Sequence, residues 1–301
     1  MTRWRNPVRT VVLGLVLALA AVVVPNSSVA PTQAALVKFQ QTDGVDVHPN
    51  VVWVLAVGSD ARQGQDMLRT RGDALQMIGI NTRTGAATAI GIPRDSWVPI
   101  PGRGSSRVNA ALFFGGPQLL GETVGNLIGV QPDYVFVTRF QGLREMVNSI
   151  GGIRVQNPRY FSDSDLWPQG FKQGSVRVNG HGATAFGRIR KSLPGGDFDR
   201  SANQQRVLRG IHERVLERAA QPGFVERGVT SVMQHLHTDL GPVELFKLAQ
   251  AGTQVDAGKI TNCVLPGSIG NVGGASVVFP STSKARSWGD QARTTGVIKN
   301  C

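Results

Sequence analysis

Three short apolar runs stand close together in this chain: VVWVLAV (51–57), ALQMIGI (74–80) and AATAIGI (86–92). Each is bounded by turn-forming residues. Each is too short for a stable helix and too apolar for a wetted surface. Such runs predict buried strands. The segment NTRTG (81–85) joins the second run to the third, and its length and glycine predict a hairpin there. A chain with these strands must cover a sheet, and the segments that follow have the pattern to do so. PQLLGETVGNLIG (117–129) places Leu120, Val124, Leu127 and Ile128 on one helical face. DYVFVTRF (133–140) reads as a strand, and QGLREMVNSIG (141–151) as a helix stopped by a glycine pair. GPVELFKLAQAG (241–252) reads as a helix, with KITNCVLPG and ASVVFPS as later short strands. Strands and helices alternate, which predicts an α/β fold with a mixed central sheet flanked by helices. Residues 155–182 carry Pro158, Pro168 and several glycines and are predicted to be a long loop.

The 301 residues suffice for one large domain or two small ones, and 41% hydrophobic with 17% charged residues is a folded composition. The first residues are of another kind. A basic stub (1–10) with Arg3, Arg5 and Arg9 precedes the apolar run VVLGLVLALAAVVV (11–24). Such a pair is an export signal, cleaved or retained. The run is short for a span of about 20 residues. SVA, ending at Ala30, has the form of a cleavage site, but Pro31 disfavours the cut. The expectation is a signal anchor over 11–30, a polar tether over 31–48 and an extracytoplasmic domain over 49–301, with a secreted, cleaved form as the alternative. A net charge of +12 favours an anionic partner. With the domain outside the membrane, nucleic acid drops out of the candidates. The two cysteines, Cys263 and Cys301, fit no metal motif, and in an oxidising compartment they are expected to pair.

The stretch FGRIRKSLPGGDFDRSANQQRVLRG (186–210) concentrates the arginines. Taken as a helix over 199–216, it places Val207, Leu208, Ile211 and Val215 on one stripe, with Arg200 and Gln204 in the same arc of about 100°. Arg206 and Arg209 fall on the opposite, solvated side. An inward arginine needs a partner. Either Asp197 or Asp199 pairs with it, or an anion arrives from outside. Arg188 and Arg190 flank Ile189, so on extended backbone both face one way. Together with Arg200, Gln204 and the free amides of a helix start, they suit a diphosphate. Asp60 leaves the first strand and Asp73 enters the second. Two carboxylates at adjacent strand ends can hold Mg²⁺ (or Mn²⁺) against phosphate oxygens, or they are ordinary turn residues. Arg94, after the third strand, is a further phosphate ligand or a pair for Asp95.

Five ordered blocks carry a family resemblance: GSDAR, the run from RGDALQM to PIPG, the run from RVNAALFF to LIGV, DYVFVTRFQGLREMVNSIGGIRV and FGRIRKSLPGGDFDRSANQQRVL. They resemble the LytR-CpsA-Psr family of bacterial envelope proteins over about residues 50–220. The resemblance implies a membrane-anchored α-β-α domain outside the cell. It implies a phosphotransferase that moves a glycopolymer from a polyprenyl-pyrophosphate carrier to the muramic acid 6-hydroxyl of peptidoglycan. The family's metal carboxylates fall on Asp60 and Asp73. Its pyrophosphate ligands fall on Arg94, Arg188, Arg190, Arg200 and Gln204, with Arg94, Asp73 and Arg200 as the catalytic set. Arg62 and Arg71 flank these motifs. The family's lipid tunnel would be lined by Leu112, Phe113, Leu120, Val124 and Ile128, residues that core packing explains equally well. The chain departs from the family pattern at Gly72, Asp199 and Asn203, and Asp199 beside Arg200 would weaken anion binding. The glycopolymer stays open among teichoic acid, arabinogalactan and capsule-like polysaccharide. A pyrophosphatase and a non-enzymatic carrier-binding regulator are the alternatives.

Overall fold

The structure is a computed structural model that describes residues 33–40, 51–219, 221 and 236–301. The predicted stub and signal segment lie outside the described residues. Among those described, no helix is long and apolar enough to cross a membrane.

A seven-stranded mixed sheet forms the centre. Its strands are β1 (Ala34–Lys38), β2 (Val51–Ser59), β3 (Gly72–Asn81), β4 (Ala87–Gly91), β5 (Tyr134–Arg139), β6 (Leu236–Thr238) and β7 (Ile260–Val264). Their spatial order is β6-β1-β5-β2-β3-β4-β7. β3 and β4 form the antiparallel hairpin that segment 81–85 predicts, and β2 pairs antiparallel on the other side of β3. β5 runs parallel to β2, and β7 parallel to β4. β1 falls inside the expected tether 31–48. Ala34–Lys38 instead pairs antiparallel with β5, and Ala35 and Leu36 are buried there. Pairing with a sheet edge, rather than a period of its own, makes this segment a strand.

Two glycines are required by close approach. Trp53 lies across the sheet from Gly79, and a Cβ there would stand 2.8 Å from the indole ring. A Cβ on Gly91 would collide with the Ser201 hydroxyl of the helix packed above it.

Among the described residues, six helices cover the sheet and its appendage: α1 (Ala110–Ile128), α2 (Phe140–Ser149), α3 (Gly180–Arg188), α4 (Asp197–Ala219), α5 (Pro242–Thr253) and α6 (Thr282–Thr295). α1 begins seven residues before its predicted start at Pro117. A break at Gly116 (φ 68°) separates the two pieces, and Pro117 opens the second. Proline favours a first turn, which is why the sequence pattern marks the break rather than the helix start. Leu112, Leu120, Val124 and Ile128 are fully buried in one core with Leu55, Val57 and Val135, whereas Phe113 is 58% exposed. The first four are packed core, and Phe113 stands apart from them.

The predicted loop 155–182 is the largest departure. It is two nested hairpins, Ile153–Asn157 with Gly174–Val178 and Phe161–Asp163 with Trp167–Phe171, followed by α3. Pro158 lies between strands, and Pro168 lies where the inner pairing shifts register, a place that tolerates a missing amide. A second core holds this unit. Trp167 stacks on Phe171 at 5.0 Å, and Phe171 meets Phe186 edge-on at 5.1 Å. α4 is wedged between the two cores. Val207 joins the second, while Gln205 donates to the carbonyls of Ala89 (3.1 Å) and Cys263 (2.8 Å) on the sheet. Cys263 on β7 is disulfide-bonded to Cys301, as expected, which ties the end of the chain to the sheet.

Candidate functional site

β2 and β3 pair regularly until Gly58 faces Ala74; the next pair is Ser59 with Gly72. Asp73 is therefore the skipped residue of a β-bulge. A bulge re-aims a side chain at a sheet rim, and here it turns a carboxylate into a cavity. That cavity has a volume of about 270 Å³. Asp73, Arg94, Arg188, Arg190, Arg200 and Gln204 all line it, so six of the seven predicted site residues converge. Asp60 does not line it. It stays beside Asp73, with its amide donating to the Arg71 carbonyl at 3.2 Å. Burial first, and then the neighbouring Asp73 charge, push the Asp60 carboxyl above its ordinary value of 3.8. Arg62 and Arg71 are exposed and do not line the cavity.

The cations are held in different ways. Arg94 Nη1 meets Asp73 Oδ1 at 2.6 Å. Burial alone would lower the Arg94 guanidinium, but Asp73, Asp95 and Asp197 together hold it above its ordinary value. Arg190 pairs with Asp95 Oδ2 at 3.1 Å, and Arg107 approaches Asp95 Oδ1 at 3.6 Å. Asp95 is thus a hub for arginines on two sides. Arg200 points inward as its stripe position predicts, and it pairs with Asp197 rather than Asp199. Burial is the largest influence on each partner, raising Asp197 and lowering Arg200, against their mutual attraction. Asp199 instead accepts from the Gly195 amide at 2.9 Å and fastens the turn before α4. The expected weakening of the site by Asp199 has no contact behind it. Arg188 is the last residue of α3, and Ile189 after it is extended (φ −58°, ψ 133°). Ile189 is buried and the arginines on either side of it line the cavity, as the extended reading predicts. The Arg188 guanidinium lies 4.8 Å from the Phe140 ring centroid.

Gln204 is engaged by the protein itself. Its amide nitrogen donates to the carbonyls of Asp73 (3.4 Å) and Gly187 (3.2 Å), and its oxygen accepts from Gln76 (3.3 Å). It ties the bulge to the end of α3. Arg206 is half-buried rather than solvated and donates to Asn203 Oδ1 at 2.7 Å. Arg209 pairs with Glu213 at 2.9 Å at the surface.

Sequence reasoning overlooked several lining residues. Lys191 adds a cation, Phe140 and Leu166 add apolar wall, and Asp163 and Asp165 enter from the inner hairpin. Only Lys191 carried a signal, its place beside Arg190; the others lie in or beside segments read as loop or core.

The donor set fits a divalent cation at Asp60 and Asp73. Two carboxylates close enough to repel are relieved by a cation between them. Among the described residues, no group of three or more His, Cys, Asp or Glu gathers to hold a metal. A cation here would draw its remaining oxygens from water or from a phosphorylated ligand.

Comparison with known proteins agrees with this architecture. Residues 21–294 match the LytR_cpsA_psr family. A Bacillus anthracis protein named polyisoprenyl-teichoic acid–peptidoglycan teichoic acid transferase TagU is 29% identical over 198 residues, covering 65% of this chain and 63% of its own length. Its Bacillus subtilis namesake is 35% identical over 159 residues, 52% of this chain and 50% of its own. The chain therefore spans between half and just under two thirds of these relatives. Among solved structures, B. subtilis TagV superposes with a TM-score of 0.69 at 24% identity, over 83% of this chain and 99% of its own. A family protein, YwtF (TagT), with bound octaprenyl pyrophosphate lipid superposes with a TM-score of 0.61 at 21% identity, over 82% and 91%. By the extent of the family match and by a shared fold, this chain belongs to the LytR_cpsA_psr family.

Proposed function

We propose that this protein is a phosphotransferase that moves a glycopolymer from a polyprenyl-diphosphate carrier onto peptidoglycan. The observation that carries this reading is the convergence of Arg94, Arg188, Arg190 and Arg200 with Asp73 on one cavity. Planar, bidentate cations in a partly desolvated recess suit a diphosphate. The relatives' names supply the class of donor and acceptor. The muramic acid 6-hydroxyl is the acceptor atom of this reading, and teichoic acid, arabinogalactan and capsule-like polysaccharide remain the candidate polymers. The disulfide and the basic-apolar leader support a domain outside the membrane on a single-pass anchor.

In this reading the acceptor hydroxyl attacks the sugar-proximal phosphorus. A new P–O bond joins glycan phosphate to acceptor, the bond from that phosphorus to the bridging oxygen breaks, and the oxygen leaves with its electron pair as polyprenyl phosphate. Arg188, Arg190 and Arg200 bind the diphosphate and orient it. Arg94, held above its ordinary pKa by its carboxylate neighbours, stays charged beside the reacting phosphoryl group. Gln204 keeps the Asp73 bulge and the end of α3 in fixed relation. In this reading Asp73, the carboxylate that lines the cavity, takes the hydroxyl proton. A Mg²⁺ or Mn²⁺ held by Asp60 and Asp73 would offset charge on the phosphate oxygens.

The test is transfer from a synthetic polyprenyl-diphosphate-linked glycan to peptidoglycan oligomers by the full chain in detergent, with Mg²⁺ or EDTA. A phosphodiester adduct that needs metal and is lost in Arg200→Ala is the expected result. Free glycan phosphate without adduct would make the protein a pyrophosphatase, and tight lipid binding without turnover would make it a carrier-binding regulator.

A further inference from the structure

Arg139 closes β5 directly in register with Ser59 of the parallel strand β2. It therefore stands where the chain leaves the sheet with Asp60. Its side chain takes no part in the cavity, and it is 8% exposed. Among the described residues its side-chain partners are backbone carbonyls, not carboxylates. Nη1 donates to the carbonyls of Ala61 (3.3 Å) and Arg62 (2.7 Å), and Nη2 donates to that of Gln65 (2.5 Å). All three acceptors belong to the loop that follows Asp60.

A buried guanidinium without a carboxylate is costly, and three peptide dipoles are what offsets the cost here. The same bonds constrain the loop. Three carbonyls spread over five residues turn toward one planar fork. The loop's other fastenings shape the turn or tie it to its own ends: the Gln65 amide donates to Arg62 O at 3.1 Å, the Arg62 amide to Gln65 Oε1 at 2.8 Å, the Ala61 amide to Ser59 Oγ at 3.3 Å and the Asp60 amide to Arg71 O at 3.2 Å. Those bonds shape the turn but do not anchor it to β5. Arg139 does. A lysine has its donors on a single nitrogen and lacks the fork that spans all three acceptors.

We propose that Arg139 is a positioning residue for Asp60: by fastening residues 61–65 to β5, it keeps the Asp60 carboxylate beside Asp73. The role in cation binding rests on the reading of Asp60 and Asp73 as a divalent-cation pair; the fastening does not.

The experiment compares the full chain with Arg139→Gln, Arg139→Lys and Asp60→Asn, using two readouts. Amide hydrogen exchange reports the 60–66 loop against the cores of β2 and β3. Calorimetric titration with Mn²⁺ alone reports the cation pair. Arg139→Gln is expected to speed loop exchange about tenfold with the strand cores unchanged, and to weaken Mn²⁺ binding about tenfold. Arg139→Lys should fall between. Loop exchange and Mn²⁺ affinity both within about twofold of wild type overturn the proposal. So does faster exchange spread evenly through the sheet, the mark of a merely structural residue. If Arg139→Gln does not fold, Arg139→Lys is judged by the same two criteria. Equal Mn²⁺ binding by wild type and Asp60→Asn would remove the cation reading instead; localised loop exchange would then decide the fastening alone.

Discussion

Arg200 and Arg188 line one cavity and come from one short stretch of chain, yet they are held in opposite ways. Arg200 is 6% exposed and bound to Asp197, so its charge is largely cancelled before any ligand arrives. Arg188 is exposed at the end of α3, lies over Phe140, and makes no ion pair among the described residues. Coulomb attraction for an incoming anion comes from uncancelled charge. In the proposed function, Arg188 would therefore draw the diphosphate in, whereas Arg200 would give it a fixed surface to meet. One arginine is built into the fold, and the other is added to it.

The largest effect should come from breaking the built-in side. Asp197→Ala leaves a buried guanidinium that cannot shed its proton. Removing one partner of a buried pair costs about 3–5 kcal/mol, and urea melts should show a loss of that order. The freed Arg200 should also take an anion in place of Asp197. Inorganic pyrophosphate is then expected to raise the melting temperature of Asp197→Ala more than that of wild type. Equal shifts would mean that Arg200 does not face the ligand.

The added side should behave in the reverse manner. Arg188→Ala gives up an exposed cation–π contact worth about 0.5–1 kcal/mol, so stability should hardly change. It also gives up a charged hydrogen-bonding partner worth about 1.5–3 kcal/mol to a bound anion. Calorimetry with pyrophosphate should show affinity lower by roughly one to two powers of ten. Added salt should narrow the gap between wild type and Arg188→Ala, because an exposed charge is screened more than a buried one. A large stability loss in this variant would erase the distinction between the two arginines.

How much of this was readable beforehand follows the same divide. Buried strands β2, β3 and β4 announce themselves because apolar runs between turn residues have few other folds available. The inward turn of Arg200 and Gln204 is legible because helical periodicity fixes direction. Their partners are not legible. Nothing local distinguishes Asp197 from Asp199, and only the fold shows that one meets Arg200 while the other ties the turn at Gly195. Asp95 gathers arginines from segments almost a hundred residues apart. The 155–182 unit hid because its strands are short, half-exposed and interrupted by proline, so neither period survives. The strand Ala34–Lys38 hid because its pairing partner, not its own pattern, defines it.

The smallest effect concerns the acidic counterpart of this divide, Asp60 against Asp73. Asp73 is already compensated by Arg94 at 2.6 Å, whereas Asp60 is held above 3.8 by burial and by Asp73 itself. A carboxyl whose folded value is raised binds its proton more tightly in the folded state. Its contribution to stability is full below the unfolded value and is lost as pH rises through the folded one. Asp60→Asn has no such loss. Without metal, the variant should therefore match wild type in acid and become slightly more stable as pH climbs from 3.8 through the raised value. Asp60 is largely exposed to solvent, so the gain should be small. Mn²⁺ should invert the order. The cation competes with the same proton, so its affinity for wild type should fall as pH drops through that window, while Asp60→Asn should bind it weakly throughout. Thermal melts from acid to neutral pH, with and without Mn²⁺, measure both. If metal-free Asp60→Asn is the less stable protein at neutral pH, the carboxylate is a structural group and the cation pair is lost with it. If it is the more stable one, and Mn²⁺ reverses the ranking, Asp60 is kept at a cost to the fold that a bound cation removes.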